Sequence, residues 1–356
     1  MNRLIPFLNE SDASVKTLGA TIAIGLVGLR SGNIQIADQL DIPKTPYHLD
    51  NFRPEQILVR SISRCLILWD EIMPTIDWLE DQIPSFILAS PTCKNAHVLH
   101  SYLSLLSGLA FAIGLKFAGT SNSSSFKTII SLIDSVMAIS KSLGKVKFED
   151  RLSQIISRST LASLIVSLSM VMAGSGNMRA FGIISMILKS NSASDVSYGI
   201  NVASNMALGL LFVGNGTCTI GTSNLSVAAL YCSLFPIYPT KVTDNRYHLQ
   251  ALRHLWVLAI ERRCLITRNV SSEIECVPVE IFLNDDSRQN PMRGCTPLIL
   301  PAFATIDRIE VVGPRFWPLS VQISAEQMKS QTTENSWTLW IQRKFKYLSY
   351  MDVFLS

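Results

Sequence analysis

The chain has 356 residues, of which 48% are hydrophobic and only 16% are charged, and its formal net charge is +4. Globular domains average about 25% charged residues, so this chain either lies in a membrane or covers much of its exterior with partners. The small, scattered positive charge argues against nucleic acid as a partner. Seven widely spaced cysteines fit reduced packing residues and show neither a disulfide framework nor a zinc spacing.

The stretch from Asn205 to Pro239 predicts two short apolar helices joined by a glycine-containing turn. Ser223 or Asn224 is a suitable N-cap for the second helix. Gly209 lies inside the first helix, where a glycine costs about 1 kcal/mol relative to alanine. We therefore predict that a neighbouring helix approaches closely at Gly209.

A similar block recurs where other apolar helices are expected to end. The blocks are 25–33 (GLVGLRSGN), 114–122 (GLKFAGTSN), 169–177 (SMVMAGSGN) and 209–217 (GLLFVGNGT). The last two start 40 residues apart, which suits one helical hairpin per repeat. The alternative is chance similarity among apolar helices that end in glycine.

Hydrophobic periodicity predicts further helices along the first two thirds of the chain. They cover 13–30, 34–40, the segment from Pro54 towards Pro74, 95–114, 126–139, 153–173 and 178–188. In the helix that Pro54 opens, Arg60 and Arg64 lie four residues apart, opposite the apolar face. We predict that these two arginines form a solvated or partner-facing stripe.

The character of the sequence changes after about residue 261. Asp244 is a good N-cap and predicts a helix from Asn245 to about Glu261. Alternating or β-branched segments then follow at 276–283, 308–312 and 337–350. We predict a domain of helical repeats over 1–265 and a small β-rich C-terminal domain over 266–356.

Three apolar segments, 99–115, 161–176 and 202–214, are candidates for membrane spans. Each falls short of about 20 unbroken apolar residues and is rich in serine or glycine, which favours helices buried by protein. A multi-span membrane protein nevertheless remains an alternative.

No group of side chains forms a convincing catalytic or metal site. Cys93, His97 and His100 have ligand-like spacing but lack a further ligand for zinc. His248 and His254 have no nucleophile beside them, and no phosphate-binding loop motif follows a strand. We therefore expect no catalytic, cofactor-binding or metal-binding residues, although a helical hydrolase using His97 or His254 is a further alternative.

Several longer runs resemble a known family. They are DNRYHLQALRHL (244–255), VMAGSGN (171–177), VGPRFWPL (312–319) and the segment 36–74. They are similar to the large scaffold subunits of the anaphase-promoting complex, within the proteasome/cyclosome repeat family. Members of that family are much longer, so the chain is similar to a C-terminal part.

The resemblance implies a mainly α fold in which helical hairpin repeats curve into a toroid or partial toroid, followed by a small β-rich domain. It implies a non-catalytic scaffold subunit of a multi-subunit cullin-RING type ubiquitin ligase that supports ubiquitination of mitotic regulators and the metaphase–anaphase transition. The implied partners are the platform, tetratricopeptide-repeat and catalytic-module subunits, without nucleic acid, membrane or cofactor. The implied location is the nucleus and cytoplasm. A scaffold of the proteasome regulatory particle is an alternative with the same repeat.

Overall fold

The structure is a computed structural model that describes residues 3–9, 15–88, 96–143, 150–190, 198–244, 250–284, 291–302, 305–322 and 337–344. The chain divides into two compact units. The first unit comprises 1–211 and 220–259, and the second comprises 212–219 and 260–356. The predicted boundary near residue 265 stays a prediction.

The longer helices of the first unit lie close to the predicted segments, whereas the short helices Pro46–Leu49, Ile76–Asp81 and Ser85–Leu88 were not predicted. They are α1 (Val15–Val27), α2 (Ile34–Gln39), α3 (Pro46–Leu49), α4 (Pro54–Ile67), α5 (Ile76–Asp81), α6 (Ser85–Leu88), α7 (Ala96–Lys116), α8 (Ser123–Ser142), α9 (Asp150–Val171), α10 (Met178–Ser190), α11 (Tyr198–Leu211), α12 (Asn224–Ser233) and α13 (Gln250–Arg253). Short 3-10 helices cover Ile5–Asn9, Trp69–Glu71, Val213–Gly216 and His254–Ala259. The predicted N-cap of α12 is confirmed, because the Ser223 hydroxyl accepts from the Ser226 N–H at 3.1 Å.

The longer helices form a row. Helix α1 packs on α4, α4 on α7, α7 on α9 and α9 on α11. A second set lies beside this row, with α2 against α4, α8 against α9 and α10 against α11. Each helix of the second set therefore packs on the row helix that follows it in the chain. Such a pair of packed helices is a helical hairpin, and the row contacts join one hairpin to the next.

The repeated glycine blocks form the joints of this row. In three of the blocks, two residues after the helix adopt positive φ, which turns their N–H groups towards the end of the next row helix. Those N–H groups donate to the last two carbonyls of that helix, which no intrahelical donor reaches. The bonds are Arg30 to Leu66 and Gly32 to Ile67, Gly119 to Met170 and Ser121 to Val171, and Gly174 to Leu210 and Gly176 to Leu211, all between 2.8 and 3.1 Å.

A lysine makes the corresponding connection between α4 and α7. The Lys116 ammonium, at the end of α7, donates to carbonyl oxygens that follow α4. Its partners are Trp69 at 2.9 Å, Asp70 at 3.1 Å and Ile72 at 2.9 Å. Burial lowers the pKa of Lys116, which reflects the cost of desolvating its charge.

Close helix contacts occur where glycine faces serine. An added Cβ at Gly25 would lie 2.6 Å from the Ser63 Cβ, and one at Gly108 would lie 1.9 Å from the Ser61 Oγ. Gly114 similarly meets the backbone of Ser167, at 3.1 Å. The prediction of close approach at Gly209 is wrong, because an added Cβ there meets nothing within 4 Å. Gly209 lies on the exposed side of α11, away from the row contacts.

The predicted helix over 245–261 is only partly correct. Residues 245–249 lie outside the described part of the chain, α13 covers Gln250–Arg253, and a 3-10 helix covers His254–Ala259. Strand β2 then begins at Ile260. Asp244 accepts from the N–H of Thr240 at 3.4 Å, and so stabilises the preceding turn.

The described part of the second unit forms small sheets; the predicted segments 276–283, 308–312 and 337–350 each coincide with or overlap one strand, whereas the other strands were not predicted. The strands of the chain are β1 (Cys218–Ile220), β2 (Ile260–Arg262), β3 (Cys264–Arg268), β4 (Pro278–Leu283), β5 (Met292–Cys295), β6 (Leu298–Ile299), β7 (Ile306–Val311), β8 (Leu319–Gln322) and β9 (Trp337–Trp340). One sheet has the order β6-β3-β9, with β3 and β9 parallel. The other is an antiparallel sheet with the order β5-β4-β7-β8. A mainly helical fold with a small sheet region is therefore confirmed.

Glycine positions in the helix row give a direct test of this packing. Gly108→Ala should lower the free energy of unfolding by about 1–3 kcal/mol, because its methyl group would overlap Ser61 and the Leu58 carbonyl. Gly209→Ala should raise it by about 0.5–1 kcal/mol, because the site is open and alanine favours the helix. Urea unfolding followed by far-ultraviolet circular dichroism measures both. Equal effects at the two sites would contradict the packing described for α4 and α7.

Candidate functional site

The first unit contains a cavity of about 990 Å³. It is lined by the N-terminal halves of α1, α4, α7, α9 and α11. The glycine joints hold the C-terminal ends of these helices side by side, so their opposite ends surround this opening. The sequence contained this information only indirectly, because the repeated blocks mark the helix ends that lie away from the cavity.

The wall of the cavity is mixed in character. Apolar residues include Leu18, Phe52, Leu58, Ile156 and Ile200; hydroxyl-bearing residues include Ser104, Ser107, Ser159, Thr160 and Thr240; charged residues are Asp50, Arg53, Glu55, Arg158 and Asp244. An apolar wall with a few polar groups is typical of a binding site.

Two histidines of α7 lie in the wall. The His97 Nδ1 is 3.5 Å from an Asp50 carboxylate oxygen, and the buried His100 has its Nε2 2.9 Å from the Ser153 hydroxyl. Burial, and secondarily the nearby His97, lower the pKa of His100. Burial therefore favours the neutral form of the His100 ring, and its contact with Ser153 is one that a structural histidine typically makes.

The described residues do not assemble these histidines into a metal or catalytic group. Cys93 and His248 lie outside the described residues, and His254 is exposed. Within the described ranges, no group of three or more His, Cys, Asp or Glu residues is placed to hold a metal ion. The expectation that the chain has no catalytic, cofactor or metal residues stays a prediction.

The predicted solvated stripe on α4 is wrong for Arg60. The Arg60 side chain is buried, with 4% of the residue exposed. Its guanidinium donates to the carbonyls of Leu8 at 3.1 Å, Gln39 at 3.3 Å and Asp41 at 3.3 Å. Arg64 is half-buried and donates to the Gln82 side chain at 3.1 Å. Both arginines therefore bind neighbouring segments of their own unit.

Two helices, α7 and the segment Arg151–Val171 of α9, are long and apolar enough to span a membrane on length and composition alone. In the structure, 94% of the apolar window of the first and 72% of that of the second are buried. The core helices of a folded protein give this same signal.

The fold thus defines a class: a stack of parallel helices around a wide cavity, with a small β-rich unit. A family model described as the APC1 fifth domain matches residues 4–261. The chain belongs to this family.

Curated relatives agree with the family match. The chain is 36% identical over 342 residues to "Anaphase-promoting complex subunit 1" of Dictyostelium discoideum, covering 85% of this chain and 15% of that protein. It is 34% identical over 357 residues to the Homo sapiens protein of the same name, covering 94% and 18%. It is 33% identical over 336 residues to "Negative regulator of mitosis" of Emericella nidulans, covering 93% and 16%. The chain thus spans less than a fifth of each of these relatives.

Replacing Arg60 tests whether its guanidinium stabilises the folded state. Arg60→Met should lower the free energy of unfolding by about 2–4 kcal/mol, because it removes the shared donor of three carbonyls. Arg64→Met should have a smaller effect, because that side chain is half-buried. Urea unfolding of both variants gives the comparison. A larger loss for Arg64→Met would contradict the role given to Arg60.

His100 makes stability depend on pH. Its folded pKa lies below the unfolded value of about 6.5, so unfolding takes up a proton. The contribution of the neutral ring is fully present above about pH 6.5 and is lost as the pH falls through the folded pKa. The free energy of unfolding should therefore fall between about pH 7 and pH 5, and His100→Gln should reduce that fall. An unchanged pH dependence in the variant would refute this assignment.

Proposed function

We propose that the chain is a non-catalytic scaffold segment of an anaphase-promoting complex subunit. The observation that carries the proposal is the family match over residues 4–261, supported by relatives named as subunit 1 of that complex. The packed helix row gives a physical reason, since stacked helical elements form rigid, extended faces on which other proteins dock. Ubiquitin transfer would then belong to other subunits of the ligase.

We propose further that the helix row is part of a curved repeat array, as a toroid or partial toroid requires. The support comes from contacts that run back across the row. Tyr231 of α12 has its ring centroid 6.1 Å from that of Phe111 in α7, and the Arg30 guanidinium beyond α1 donates to the Thr222 carbonyl. A straight row would separate these elements by the widths of the intervening helices, whereas curvature brings them together.

We also propose partners and a cellular location for this segment. The segment would contact platform, tetratricopeptide-repeat and catalytic-module subunits, in the nucleus and cytoplasm, with no nucleic acid or membrane among its partners. The scaffold of the proteasome regulatory particle is not favoured, because the family and the relatives are those of the anaphase-promoting complex. The high burial of α7 argues against a membrane role.

Affinity purification of the tagged full chain from dividing cells, followed by identification of the associated chains, tests the proposal. We expect other subunits of the anaphase-promoting complex to be recovered. Gly209→Ala should leave their recovery unchanged, whereas Gly108→Leu should reduce it, because only the second site lies in a helix contact. Recovery of proteasome subunits instead would favour the alternative scaffold.

The absence of catalysis needs its own measurement. The purified chain, mixed with ubiquitin, an activating enzyme and a conjugating enzyme, should not increase ubiquitin transfer to lysine. Transfer that depends on this chain alone would show that it carries catalytic groups.

A further inference from the structure

The segment 70–81 (DEIMPTIDWLED), which follows α4 and includes α5, is strongly acidic. It contains five acidic residues and no basic residue, in a chain whose net charge is +4. All five acidic residues are exposed: Asp70, Glu71, Asp77, Glu80 and Asp81. Neither the fold nor the scaffold proposal has given this segment a role.

The backbone of the segment is fixed against α8. The Pro74 carbonyl accepts from the Ser124 hydroxyl at 2.9 Å and from the Thr128 hydroxyl at 2.8 Å. Ile72 and Leu79 are both buried in the core and anchor the segment on either side of Pro74. The exposed side chains of the segment are therefore presented from a rigid support.

Two large apolar side chains of the segment remain in water. Met73 is 55% exposed and Ile76 is 42% exposed. Methionine adapts its shape to an apolar neighbour and is enriched at protein interfaces. A partner that covered Met73 and Ile76 would gain the hydrophobic stabilisation that the isolated chain does not obtain here.

Helix α5 carries three like charges on one face. Asp77, Glu80 and Asp81 lie at positions i, i+3 and i+4, where like charges destabilise a helix. Glu80 and Asp81 also lie in the last turn, where the helix dipole disfavours negative charge and no basic residue is present. Among the described residues, no cation lies within 4.0 Å of these three carboxylates. The isolated chain therefore keeps a repulsion that its own fold does not relieve.

The beginning of the segment differs in this respect. Asp70 lies beside Lys116, whose ammonium donates to the Asp70 carbonyl at 3.1 Å and to the carbonyls of Trp69 and Ile72. A cation of the same unit thus already lies close to Asp70. The charges left for a partner are those of α5.

We propose that Met73, Ile76, Asp77, Glu80 and Asp81 form a docking surface, the acidic surface, for a basic segment of a partner polypeptide. Lysine or arginine side chains of that segment pair with the three carboxylates, and an apolar side chain between them covers Met73 and Ile76. Charge complementarity selects such a partner. Exposed ion pairs alone give little affinity, so the apolar contact is needed as well. The inference does not depend on which complex contains the chain.

The test measures binding of a rhodamine-labelled peptide of about twelve residues, composed of Lys and Leu, to the full chain by fluorescence anisotropy. A Lys/Ser peptide has the same charge without apolar side chains, and a Glu/Leu peptide has the opposite charge. We expect the Lys/Leu peptide to bind with an affinity that falls as salt rises. The Lys/Ser peptide should bind at least about fivefold more weakly, and the Glu/Leu peptide at least about tenfold more weakly.

Two double variants locate the charge contribution. Glu80→Gln combined with Asp81→Asn should weaken binding of the Lys/Leu peptide about threefold to tenfold. Asp38→Asn combined with Asp134→Asn removes the same charge from exposed positions of α2 and α8 and should leave binding unchanged. Circular dichroism spectra identical to that of the original chain are the condition for comparing the variants.

A single variant locates the apolar contribution. Ile76→Ser should weaken binding of the Lys/Leu peptide about threefold. It should leave binding of the Lys/Ser peptide unchanged, because that peptide has no apolar side chain to lose a contact. Equal weakening of both peptides would show that Ile76 acts through the fold and would overturn the apolar contact.

Thermal unfolding separates a docking role from a structural one. Glu80→Gln combined with Asp81→Asn should raise the melting temperature by about 1–2 °C, because it removes like charges from one helix face. A lower melting temperature would show that these carboxylates stabilise the fold, and would overturn the proposal. Weakening of peptide binding by the Asp38→Asn, Asp134→Asn variant to the same extent would reduce the effect to net charge and overturn it as well.

Discussion

The helical unit depends on one repeated interaction, the pair of N–H bonds from each of three glycine turns to the last two carbonyls of the next row helix. Such carbonyls have no intrahelical donor, and burying one unpaired costs about 1–3 kcal/mol. The turn supplies the donors only because two of its residues adopt positive φ, as Gly174 and Gly176 do. Once the bonds form, the helices must run parallel and in register, so their opposite ends meet around the large cavity.

This constraint also accounts for the low charge of the chain. A row helix such as α7 is covered on nearly every side, so it is apolar with small hydroxyl side chains that bond to their own helix, as Ser101 does to the His97 carbonyl. Cationic side chains in this buried setting donate hydrogen bonds to main-chain carbonyls. Lys116 and Arg60 each bind three carbonyls, and burial lowers the pKa of both. Hydropathy alone gives α7 the profile of a membrane helix, whereas its contacts are those of a protein core.

Local patterns predicted the longer helices, three strands of the second unit and the turn glycines, because each depends on residues near in sequence. Three features depended on distant segments and were therefore missed. Arg60 lies on the polar side of its own helix, but Leu8 and Gln39 cover that side. Gly209 has the same composition signal as Gly108, but only the latter faces another helix. The cavity was missed because it forms where separate helices begin.

Buried cations of the helical unit bind main-chain carbonyls of that same unit. An arginine bound to three carbonyls of its own unit, like Arg60, has few donors left for a partner, so counting exposed-face arginines in a sequence overestimates binding surface. In a chain that is only 16% charged, a buried cation such as Arg60 therefore stabilises the fold, and its place on the polar side of its helix does not mark a binding surface.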